Sequence, residues 1–119
     1  MTISAEKTQK KIWKVRIAKI YQGAHNHLLI GRVLEFNECF IRMDCNSYHF
    51  GSGVTGPKSI KTGRRMVRIV PWHRIEIVNE LSPDFAFDIA TMKSDDDNQV
   101  ILTDNKMICR ITSAYEQGY

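Results

Sequence analysis

The chain has 119 residues, 43% of them hydrophobic and 25% charged, with 17 Lys/Arg against 13 Asp/Glu. This argues against a disordered polyelectrolyte, and a chain of this length buries enough apolar surface to fold as one domain without cross-links. Three cysteines, Cys39, Cys45 and Cys109, form no CxxC pair, which argues against a disulfide framework and predicts a reducing, cytoplasmic setting.

No apolar run approaches the roughly 20 residues of a membrane helix. The opening MTISAEKTQKK lacks the apolar core of a signal peptide. Charge is unevenly spread. Residues 1–78 hold 14 Lys/Arg against 5 Asp/Glu, and residues 79–119 hold 3 against 8. A basic body followed by an acidic segment points to a polyanionic ligand and to a segment able to compete with it.

Thr2 to Lys11 is polar, with Ser4 as N-cap and lysines near its end, which predicts a short N-terminal helix. Residues 12–21 alternate: Trp13, Val15 and Ile17 on one side, Lys14 and Arg16 on the other, as in a half-buried strand. Residues 22–26 are a turn. Residues 27–36 form a second strand apolar on both faces, so both faces are expected to be covered. Gly31 at its middle predicts a sharp bend. Asn37-Glu38 is a polar turn, and residues 39–48 alternate as a third strand that closes a hairpin.

Residues 46–63 hold Gly51, Gly53, Gly56, Pro57 and Gly63. They read as a long exposed loop that leads Lys61 into Arg64 and Arg65. Residues 64–70 and 75–78 are β-branched and alternating, and predict fourth and fifth strands. Pro71 breaks them, and the corner Pro71-Trp72-His73-Arg74 presents an indole, an imidazole and a guanidinium together. Five short strands with a glycine bend predict a mainly all-β fold, a small barrel whose closure hides sheet edges.

From residue 81 the acidic extension begins. Ser82-Pro83-Asp84 is a helix-start signal, Asp95 to Asn98 reads as an acidic linker, and Thr103-Asp104-Asn105-Lys106 joins two apolar runs as a hairpin. Phe85, Phe87, Ile89 and Met92 supply apolar contacts for docking on the body. The expected organisation is a body of residues 1–80 and an extension of residues 81–119.

Gly23, the run Leu28-Leu29-Ile30-Gly31, then Phe36-Asn37, Ile41 and Met43 form an ordered pattern. With the later stretch Val70 to Val78, it resembles the two motifs of the Sm-like (LSm/Hfq) superfamily in a divergent bacterial or phage form. The resemblance covers about residues 10–78. Asn37 stands where the family usually has Asp, Trp72 where the Hfq type has lysine, and Cys39 where it has a stacking aromatic. The arginine-glycine pair of eukaryotic and archaeal members is absent.

The resemblance implies a helix-capped, strongly bent five-stranded barrel. Its fourth strand would pair with the fifth of a neighbour in a homo-oligomeric ring. It further implies that Asn37, Glu38, Cys39 and Phe40 meet Trp72, His73 and Arg74 at the pore and bind single-stranded RNA, with Lys61, Arg64 and Arg65 adding charge. Trp72 can alternatively serve as a packing anchor. A structural or protein-interaction ring without RNA is the alternative function. No nucleophile motif surrounds the Ser, His and Asp residues, so no enzymatic activity and no cofactor is expected. Cys45 and His49, with His27, fall short of a complete zinc spacing.

Overall fold

The computed structural model describes residues 10–21 and 23–112. Nine strands dominate it: β1 (Ile12–Ile17), β2 (Asn26–Phe36), β3 (Phe40–Phe50), β4 (Lys61–Thr62), β5 (Met66–Pro71), β6 (Ile75–Leu81), β7 (Thr91–Ser94), β8 (Val100–Thr103) and β9 (Ile108–Arg110). All pairings are antiparallel. Most of the expected N-terminal helix, residues 2–9, lies outside the described residues, and its last two, Lys10 and Lys11, are not helical.

The first sheet runs β4-β3-β2-β1-β6, and β5 takes the place beside β4 along the same border of β3. Only Trp72–Arg74, a single 3₁₀ turn, separates β5 from β6. In a flat sheet those two strands would stand about 19 Å apart across four strand spacings. Four chain steps reach about 14 Å at most. Pro71 also sits in the row of Phe40, whereas Ile75 sits in the row that passes through Ile17, His27 and His49. The sheet must therefore curl sharply. Its concave side is one core: Trp13, Val15, Leu29, Val33, Ile41, Met43, Cys45 and Val70, with Trp72, Ile75 and Val78 packed against it.

Gly31 permits the bend. A Cβ there would overlap the Asp44 carbonyl oxygen and lie 2.5 Å from Cys45 Cα, so only glycine lets β2 press onto β3 at this point. A register shift between Val33 and Glu35 adds a bulge just beyond it, which increases local twist. The sheet does not close: among the described residues no ladder joins β5 to β6. The expectation of a closed barrel gives way to an open, curled sheet with two borders.

The convex side is also covered. Residues 81–112 fold over it, and β7, β8 and β9 form a second sheet. Phe85, Phe87, Val100, Leu102, Cys109 and Ile111 meet Ile12, Leu28, Ile30, Tyr48, Phe50 and Ile60 in a second core. Strand β1 is therefore not half-buried. Lys14, on the face opposite Trp13 and Val15, is 1% exposed, and its ammonium donates to the Arg110 carbonyl at 2.9 Å.

Other expectations are also corrected. Ser82-Pro83-Asp84 starts a turn, with Phe85 N–H bonded to the Ser82 carbonyl at 3.0 Å. Phe85 and Phe87 are both buried, and two residues at i and i+2 do not share one face of a helix. Asp95 to Asn98 is a hairpin turn rather than a linker. Asp95 Oδ1 accepts from the N–H groups of Asp97 (2.9 Å) and Gln99 (2.8 Å), and Asn98 takes φ 61°. The expected hairpin over residues 103–106 is present, with Asn105 at φ 75°. The glycine-rich loop is shorter than expected: β3 continues to Phe50, and β4 returns to pair Lys61 with His49 and Thr62 with Tyr48. Residue 60 drops its isoleucine into the second core.

Replacing Gly31 with alanine is expected to lower stability by about 3 kcal/mol or more, because backbone must move to admit the methyl group. Thermal unfolding followed by circular dichroism checks this. A melting temperature within 2 °C of the parent would contradict the close-approach argument.

Candidate nucleic-acid interface

Two turns meet at one end of the curled sheet. Between β2 and β3, Asn37 Oδ1 accepts from the N–H groups of Cys39 at 2.8 Å and Phe40 at 3.0 Å. This is the Asx arrangement that a short side-chain oxygen favours. The turn needs an acceptor, not a charge, and the Asn37 amide oxygen supplies it. Between β5 and β6, Trp72 N–H bonds the Cys39 carbonyl at 3.1 Å, and Trp72 Nε1 donates to the Asn37 carbonyl at 2.6 Å. The Trp72 ring meets Phe36 edge-on at 6.4 Å between centroids, and Phe36 meets Trp13 at 5.4 Å.

Of the expected meeting, the structure shows Trp72 against Asn37 and Cys39 within one chain, with Phe40 paired to Pro71. Arg74 instead accepts from the Ala18 N–H through its carbonyl and borders Ile17 and His27. Their roles differ. Trp72 is half-buried with both of its N–H groups engaged, so it ties the turns together. Glu38, Cys39 and His73 are exposed, while Phe40 and Arg74 are half-buried. No hydrogen bond or ion pair engages the Arg74 guanidinium among the described residues.

Lys61, Arg64 and Arg65 do not join this group. Lys61 pairs with His49, toward the opposite end of β3 from the Asn37 turn. Arg64 is exposed, and its carbonyl accepts from Arg68 at 3.1 Å. Arg65 is committed elsewhere. It grips Asp44 with two bonds, Nε at 3.1 Å and a terminal nitrogen at 2.8 Å. It also lies 3.9 Å from Asp88 and 5.2 Å over the Phe87 ring. The paired guanidinium holds the Asp44 carboxyl below the usual carboxylate range. Arg65 therefore fastens the 81–112 segment to the body.

Three further residues matter here, of which the sequence singled out only His27 and His49, as incomplete zinc ligands. Arg68 donates to the Cys45 carbonyl at 3.1 Å. His27 and His49 stack face to face at 3.9 Å. Stacked rings direct their lone pairs apart rather than toward one point, and no group of three His, Cys, Asp or Glu able to hold a metal occurs among the described residues. Burial, then the charges of His49, Arg68 and Arg74, push the His27 pKa down to about 4. His49 is lowered as well, mainly by burial. Alternation along β5 could have marked Arg68 as facing away from Val67 and Ile69. Nothing local marks the His27–His49 stack, which depends on register.

No helix among the described residues is long and apolar enough to cross a membrane. The chain matches no protein-family model, and comparisons with curated proteins and with solved structures find no match.

Two outcomes are expected. Trp72→Phe keeps an aromatic side chain but removes the indole N–H and strands the Asn37 carbonyl, lowering stability by about 1–2 kcal/mol; urea unfolding measures it, and an unchanged midpoint would show that the tie is idle. Acidification gives the second. Between about pH 4 and 6.5 the unfolded chain binds the His27 proton that the folded chain refuses, so stability falls as pH drops through that window and this contribution levels off below about 4. His27→Gln should flatten this limb in melting curves from pH 7 to 4.5, while any carboxylate limb at lower pH persists.

Proposed function

We propose that the chain is an Sm-like subunit that assembles head to tail into a ring and binds single-stranded RNA at the paired turns. The observation that carries this reading is the pair of unpaired borders. The outer border of β5 bears Val67 and Ile69, which are 49% and 62% exposed. The outer border of β6 has no partner strand among the described residues. Exposed apolar edge strands attract another strand, and two different borders on one subunit make a contact that can close into a ring.

Charge favours the same contact. Exposed Arg64 precedes β5, whereas β6 carries exposed Glu80, and exposed Glu76 that is paired with Arg16. In such an assembly the turns that hold His73 and Arg74 would repeat around the pore. His73 can stack on an unpaired base, and Arg74 can meet a phosphate. The step from curled sheet to RNA rests on the family resemblance.

A second reading, an interaction ring without RNA, draws support from two side chains. Trp72 and Arg65 are both spent on internal contacts, leaving fewer groups for a nucleic acid.

The test has two parts. Ile69→Lys should dissolve the assembly to monomers by light scattering while circular dichroism is unchanged, because this side chain is exposed in the single chain. A monomeric parent protein would sink the ring. Oligo(U) and oligo(A) binding, measured across salt, should fall steeply with ionic strength, and Arg74→Ala should reduce the salt slope by about 1. An intact ring that binds neither oligonucleotide at low salt would select the second reading.

A further inference from the structure

The open seam of the curled sheet contains a cleft of about 340 Å³ between β5 and the ends of β1 and β2. Ile17, Leu29, Ile69 and Val70 give it aliphatic walls, and Arg68 and Arg74 bring polar atoms to it. Its volume falls in the range of small-molecule sites, which are largely apolar with a few placed polar groups.

Three features indicate what such a cleft takes. No carboxylate lines it, and the groups that raise the potential around His27 are the cations Arg68 and Arg74 and the neighbouring His49. The Arg74 guanidinium has no partner among the described residues. His27 lines the cleft with its Nε2 buried away from solvent, so it contributes ring surface to the wall rather than a competing acceptor.

We propose that the seam cleft binds a small amphiphilic carboxylate, its hydrocarbon body against Ile17, Leu29 and Val70 and its carboxylate between Arg74 and Arg68. The planar fork of Arg74 matches two carboxylate oxygens. Arg68 already donates to the carbonyls of Cys45 and Arg64, so it contributes charge and its remaining N–H groups. A nucleotide fits the same charges less well, because its ribose hydroxyls would be pressed against aliphatic walls with nothing to accept or donate. The cleft shares Ile69 and Arg74 with the interface and turn invoked above, but octanoate binding is read separately from oligomeric state and oligonucleotide affinity.

The probe is sodium octanoate, below its micelle range, with octan-1-ol and acetate as controls. Titration calorimetry on the full chain should give saturable binding of one octanoate per chain, with octan-1-ol and acetate each at least about tenfold weaker. Methyl resonances of Ile17, Leu29 and Val70 should shift on binding. Arg74→Ala should weaken octanoate about tenfold, and Arg74→Lys should recover part of that loss. Equal affinity for octan-1-ol would reduce the cleft to a greasy surface and overturn the proposal. So would absence of saturable binding, shifts confined to other methyl groups, or an Arg74→Ala variant that binds like the parent.

Discussion

The three residues Trp72, His73 and Arg74 set the shape of the body. They join two strands that lie at opposite borders of one sheet, and so short a link is compatible only with a sheet that folds back on itself. Everything needed for that curvature is supplied along β2 and β3. Gly31 allows the backbones to approach, the bulge after Val33 adds twist, and a continuous apolar cluster fills the concavity. Trp72 then locks the link, with its backbone N–H on Cys39 and its indole N–H on Asn37. The side chain that looks most suited to stacking on a base is thus the one that holds the architecture in place.

The curled sheet has a convex side that would be too apolar to leave in water. Ile12, Leu28 and Ile30 point there, and the acidic segment supplies Phe85, Phe87, Val100 and Leu102 to cover them. The contact is polar at its margin, where Arg65 bridges Asp44 and Asp88. The opposite charges of the two parts are therefore used at least partly against each other, and only some of the basic residues of the body remain available to an outside anion.

Much of this was legible because strand periodicity is local. Five body strands, the Gly31 bend, the double-faced burial of β2 and the 103–106 hairpin all follow from residues close in sequence. What escaped depends on distant partners. Lys14 reads as solvent-facing until a second sheet is laid over it. Thr91–Ser94 has too little apolar character to announce a strand, and becomes one by pairing with β8. Asp95 to Asn98 has a linker's composition, yet its Asp and Asn side chains suit a tight turn as well. At the site, Trp72 of the later turn reaches Asn37 and Cys39 of the earlier one. Proximity alone did not reveal that Trp72 would be tied inward, that Arg65 would be paired, or that His27 and His49 would stack across a register row.

The Lys14 ammonium has a consequence for how the molecule comes apart. It is a charge sealed under a lid of sheet, satisfied by a carbonyl at Arg110 near the far end of the segment. Peeling that segment away would admit water to the whole convex side and discard the bond that makes the burial of a cation tolerable. Body and cover are therefore expected to melt as one cooperative unit, and a proteolytic cut at the exposed Asp96–Asp97 tip to leave the two pieces clasped rather than release a detachable tail.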